Sequence, residues 1–119
     1  MSKAATSVFV FSLYMFVLGL VLLIVPNMLL RIFAIPDTSE VWIRVVGMLV
    51  LILGAYYFQA ARNELVEFFK VCVLGRFSVL IFLTAFVLLG FAPATLILFG
   101  VIDAAAASWT ALALRSDVV

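Results

Sequence analysis

Apolar residues fall in four long blocks along the chain, separated by three short stretches that hold most of the charged side chains. The first block, VFVFSLYMFVLGLVLLIV, runs unbroken from Val8 to Val25. It exceeds the roughly 7–15 residues of a signal-peptide core and lacks a small-residue cleavage site, so it reads as a retained first transmembrane helix. The first interruption, PNMLLRIFAIPDTSE, covers Pro26 to Glu40. Its middle, Asn27 to Phe33, suits a short interfacial helix with Arg31 at the headgroups. Asp37 followed three residues later by Glu40 is a capping-box pattern that places the next helix start near Thr38. The second interruption, ARNELVEFFK, turns helical from Glu64 onward, and the third is only GFAP, with Pro93 suited to a first helical turn.

The expected helices are therefore about 7–26, 38–61, 64–90 and 93–114. Each is long enough to cross a hydrocarbon core of about 30 Å at ~1.5 Å per residue. Lipid offers no partner for backbone polar groups, and helices satisfy their own. Short connections make consecutive helices antiparallel neighbours. The fold class that follows is all-α, an integral membrane four-helix up-down bundle with short loops, and residues 1–119 form a single transmembrane domain.

Composition sharpens this. Hydrophobic residues make up 69% of the 119 and charged residues 11%, a balance that a soluble chain this short has no interior to hide. The net charge of +1 gives no basis for a nucleic-acid partner. One cysteine, Cys72, excludes an internal disulfide and a redox pair, and the chain has no histidine. No metal site or cofactor is expected. Lys3, Arg62, Lys70 and Arg115 lie on the side of the termini, against Arg31 and Arg44 on the other, which puts both termini in the cytoplasm. The segments FVLG (Phe16–Gly19) and FVLLG (Phe86–Gly90), followed by Gly47 and Gly100 in the even-numbered helices, raise a 2+2 repeat as one alternative.

Three ionisable residues fall inside the spans. Arg44 lies one turn after Glu40, the order that favours a helical ion pair, and sits near the interface. Arg76 lies deeper, and Asp103 falls near the midplane, where its short side chain has no route to water. Gly100, Asp103, Ala104, Ala107, Ser108 and Ala111 share one helical face, a small-residue surface that admits close helix packing. Gly47, Gly54 and Ala61 form a second such stripe. Arg76 is the best counter-charge for Asp103, on an estimated depth difference of roughly 7–9 Å. Tyr56, Tyr57 and Gln59 are hydrogen-bond donors at a similar level. Asp103 is then either ionised against Arg76 or protonated among hydroxyls. Glu64 and Glu67, beside Arg62 and Lys70, make either a solvated, mutually paired surface or the inward-turned mouth of the same cluster. Cys72 and the phenylalanines read as packing.

The stretches LGLVLLIVPNMLLRIF, IRVVGMLVLILGAYY, LGRFSVL and FGVIDAAAASWTALALR together resemble the DoxX-like group of small four-helix bacterial membrane proteins. The resemblance spans the chain and rests on helix order and polar positions, not on a catalytic signature. It implies a bacterial inner membrane, an association with quinone-linked oxidation or thiol-stress complexes, and a match of Arg76 and Asp103 to the group's intramembrane polar positions. The absence of a cysteine pair speaks against a direct thiol role. The chain lacks the first-helix glutamate of small multidrug exporters and the glycine-rich first helix of fluoride channels.

Three functions fit these residues. The first is a non-catalytic module whose Arg76/Asp103 site, open to the cytoplasm, binds a lipid, quinone or other amphiphile or supports a membrane enzyme partner. The second is a small proton-coupled or ion transporter, a homo-oligomer, using Asp103. The third is a structural scaffold. An enzyme acting alone is disfavoured, because no nucleophile–base pair or metal cluster can be assembled.

Overall fold

A computed structural model describes residues 1–118, which are helical throughout apart from short connections, with no strand among them. The helices are α1 (Lys3–Ile24), α2 (Pro26–Ile32), α3 (Trp42–Arg62), α4 (Val66–Leu88) and α5 (Ile97–Val118), with a 3-10 turn at Ala94–Leu96 leading into α5. Four helical segments, α1, α3, α4 and the 3-10 turn with α5, are long and apolar enough to cross a membrane.

Helix ends depart from the sequence expectation where local hydrogen bonds intervene. α1 starts earlier than expected because the Ser2 side chain accepts the Ala5 N–H at 3.0 Å, capping it. It stops at Ile24 because Pro26 lacks an N–H, and Pro26 instead opens the short α2. The capping box at Asp37 and Glu40 does not form. Arg31 takes the Asp37 carboxylate, with Nε and Nη2 converging on Oδ2 at 3.1 and 2.9 Å, and this charge-assisted contact outcompetes a neutral cap. It also raises the Arg31 guanidinium above its ordinary pKa. α3 accordingly begins only at Trp42, without a side-chain cap. Glu64 does not start α4 but takes a left-handed φ of 53° in the turn before it. Pro93 precedes the 3-10 turn rather than an α-helical one.

α1 is the hub of the bundle. It packs along α3, meets α5 and touches α4, whereas α3 and α4, though consecutive, scarcely meet along their lengths. The expected neighbour relation therefore holds within the hairpins α1/α3 and α4/α5 and fails between them. The turn joining α3 to α4 keeps their ends close, where Tyr57 and Phe68 meet edge to face at 5.4 Å, and beyond that end the two helices separate.

The α1/α3 seam is backbone against backbone. A Cβ on Gly47 would lie 2.7 Å from the Leu23 nitrogen and 2.9 Å from the Gly19 oxygen. Gly47→Ala is thus expected to destabilise the bundle by about 1–3 kcal/mol, as overpacking does, measured by denaturant unfolding in micelles. Gly100 plays the same part between α5 and α4, a Cβ there falling 2.8 Å from Leu80 Cα. Gly19 and Gly90, matched in the 2+2 reading, do different work: Gly19 sits in the seam, while Gly90 has φ +81° beyond the end of α4.

The tightest packing is at the end that holds the termini. Ala4, Ala5, Val8, Ala60, Ala61, Phe69 and Ala113 form a buried core there, since small residues let four helices converge. A polar clasp sits over it. The Ser2 N–H donates to Glu64 Oε1 at 2.6 Å, the Ala4 N–H to Asp117 Oδ2 at 3.0 Å, and Lys3 Nζ to Ser116 at 3.1 Å. The Ser2 hydrogen bond holds the Glu64 carboxyl below its usual pKa. Its stabilising contribution is therefore complete above the unfolded-state value and disappears as pH falls through the lower folded-state value. Thermal unfolding midpoints should fall less steeply on acidification in Glu64→Gln than in the unaltered protein.

Candidate functional site

Arg76 reaches inward from α4 and is 2% exposed. Its Nη2 donates to Thr110 Oγ1 on α5 at 3.1 Å, and its Nε to the Cys72 carbonyl one turn earlier at 3.4 Å. The guanidinium carbon lies 4.7 Å from the centre of the Phe11 ring and 5.7 Å from that of Tyr57, faces that attract a desolvated cation. Nη1 is buried and has no hydrogen-bond partner. Thr110 is itself fully buried and stands 2.7 Å from Ser7 Oγ on α1. The two hydroxyl protons are shared among three contacts: the one between the two hydroxyls and those to the carbonyls of Ala4 and Ala106. The hydrogen bonds that begin at Arg76 thus end at Ser7 and the Ala4 carbonyl, inside the packed core.

Asp103 does not pair with Arg76: no Arg76–Asp103 contact lies within 4.0 Å, and no described residue donates a hydrogen bond to the carboxylate. The register explains this. Gly100 packs on Leu80, so in antiparallel helices Asp103 comes nearly level with Arg76, rather than a turn and a half away. The long arginine side chain then bends toward the termini and takes Thr110, two turns beyond Asp103. Both residues nevertheless line one cavity.

That cavity has a volume of about 490 Å³ and lies between α1, α3, α4 and α5. Its wall is apolar except for Tyr14, Tyr57, Arg76 and Asp103. Each of the four helices contributes one of these, toward the end nearest the termini. Beyond them the wall continues through residues such as Leu18, Val50, Val79 and Phe99 to Leu29 and Leu30 of α2. The expected opening toward the termini is absent, because the small-residue core closes that end. The opposite end is crossed by α2 and the segment after it. There Asn27 pairs with the Thr38 backbone at 3.0 and 3.1 Å, Phe33 stacks 4.3 Å from Phe99, and the Thr95 hydroxyl donates to the Phe33 carbonyl.

The remaining sequence candidates lie elsewhere. Tyr56 is 59% exposed and Gln59 also faces outward; of the three donors expected near Asp103, only Tyr57 reaches the cavity. Glu64 belongs to the clasp, and Glu67 pairs with Lys70 at 3.2 Å on the surface. The Glu40–Arg44 pair does not form, because Glu40 lies before the helix, where the one-turn spacing has no meaning. Arg44 instead donates through Nη1 to the carbonyls of Leu23 and Ile24 at the end of α1, the negative pole of that helix.

Sequence reasoning missed Thr110, Ser7 and Tyr14. Thr110 was within reach: it lies three residues after Ala107 and two turns after Asp103, on the face already assigned to packing. No group of three or more potential metal ligands occurs among the described residues. No family model, curated protein or solved structure matches this chain.

Proposed function

We propose that this is a multi-pass protein of a bacterial inner membrane, termini on the cytoplasmic side, whose bundle binds one amphiphile. The apolar body of the ligand fills the cavity, and a hydrogen-bonding head lies between Arg76 and Asp103. The observation that carries this reading is the pairing of opposites in one chamber: a buried cation with an unpartnered nitrogen and an uncommitted carboxylate, set in an otherwise apolar wall. Groups of this kind are costly in a span and are usually kept for binding or transport. The wall of the 490 Å³ cavity is apolar over nearly all its extent, so an apolar occupant suits it. A scaffold needs neither the cavity nor the charges. A transporter needs a polar route onward, and the hydrogen bonds from Arg76 stop at the core.

The test is photolabelling in nanodiscs with a diazirine-bearing long-chain alcohol, whose hydroxyl can donate to Asp103 and accept from Arg76, and, because of the DoxX-like resemblance, a photoreactive quinone. Peptide mapping should place the label on cavity-lining residues. Asp103→Asn should lower the labelled fraction about threefold, the scale of one altered polar contact. Label spread evenly over the outer faces, unchanged in Asp103→Asn, would overturn the reading.

A further inference from the structure

Gly75 stands apart on the cavity wall. It lies in the interior of α4 immediately before Arg76, and a Cβ added to it would meet nothing within 4 Å. The other helical glycines, Gly19, Gly47, Gly54 and Gly100, each have a neighbour within 3.2 Å of that position. Packing accounts for those four and not for Gly75. Glycine is a poor choice within a helix, and what it supplies there is bare backbone beside Arg76, where another molecule can come close.

The gap between α3 and α4 gives that space a direction. Val46 and Leu53 line the cavity from α3 and are 46% and 44% exposed, while Gly75 and Val79 line it from α4. The other approaches are shut. The termini end is closed by the core around Phe69, and the far end is tied by the Asn27–Thr38 and Phe33–Phe99 contacts.

We infer that the ligand is a single-chain amphiphile dissolved in the bilayer, which enters sideways between α3 and α4, its head passing over Gly75 to Arg76 and Asp103. The inference rests on the binding reading above. A volume of 490 Å³ lies within the roughly 300–1,000 Å³ of sites that hold one small molecule, which suits one chain. The unpartnered Nη1 calls for a head that carries an acceptor oxygen. Lateral entry lets the chain exchange one apolar surrounding for another.

The experiment follows the initial rate of labelling by the diazirine-bearing long-chain alcohol in nanodiscs. Gly75→Phe fills the gap from α4 and should slow labelling about fivefold or more, within the range over which association rates vary among variants of one site. Leu53→Trp fills it from α3 and should do the same, so the result does not depend on one variant. Asn27→Ala loosens the far end and should leave the rate unchanged. Unaltered rates in both gap-filling variants, or faster labelling in Asn27→Ala, would overturn lateral entry while leaving binding intact. No cavity label in the unaltered protein would overturn the binding reading and this inference together.

Discussion

Arg76→Met is expected to leave the bundle as stable as before, or more stable, while lowering retention of the photoreactive amphiphile at least tenfold. The two effects have separate causes. Arg76 is 2% exposed and one of its nitrogens lacks a partner, so its burial is poorly compensated. Replacing buried ionic groups by apolar side chains is often neutral or stabilising, by about 1–4 kcal/mol where a whole ion pair or triad was replaced, and here no ion-pair partner within 4.0 Å among the described residues is left behind. The groups left behind remain satisfied, because Ser7 and Thr110 already stand 2.7 Å apart and have the Ala4 and Ala106 carbonyls as acceptors. Methionine also keeps contact with Phe11 and Tyr57. The ligand loses a charge-assisted hydrogen bond, and about 1.4 kcal/mol or more corresponds to tenfold or more in affinity. Denaturant unfolding in micelles and label yield in nanodiscs read the two effects independently. Unfolding of Arg76→Met would identify the arginine as a structural clamp.

Thr110→Val should do the reverse to stability. It keeps the shape of the side chain but removes the acceptor from Nη2, so a guanidinium that already has one bare nitrogen would have two. Removing a neutral acceptor from a buried charge costs about 1.5–3 kcal/mol. The Thr110→Val, Arg76→Met double variant should recover most of that loss, since no charge is then left to satisfy. The coupling between the two substitutions, read as a double-mutant cycle, measures what Thr110 does for Arg76. Thr110→Ser keeps the hydroxyl and should behave nearly as the unaltered chain.

The four long helices were legible because each apolar block is long and is broken by proline, charge or both. Their ends were less so. Asp37 and Glu40 had the spacing of a cap, and only the fold brings Arg31 within 2.9 Å of Asp37 to claim its carboxylate. Arg76 and Asp103 stood out because charge in a greasy span is rare. Their relation did not, since it depends on helix register: a close approach at Gly100 and Leu80 sets the level of Asp103. The separation of α3 from α4 leaves no mark on either helix alone. It arises from how both fit around α1, and the cavity follows from it.

The arrangement of helices also bears on how the chain is made. Synthesis delivers segments from the N-terminus onward, so α1 and α3 can close their glycine seam while the rest is still on the ribosome. Arg76 arrives with α4, one helix ahead of Thr110, and until α5 follows its near partner is the Cys72 carbonyl on its own helix. α5, made after the other three long helices, thus supplies the acceptor for Arg76, the Asp103 wall of the cavity and, through Asp117, the clasp on the start of α1. Before α5 forms, the guanidinium has the Phe11 and Tyr57 rings but no side-chain acceptor, so the buried charge is settled only when the fourth long helix is in place.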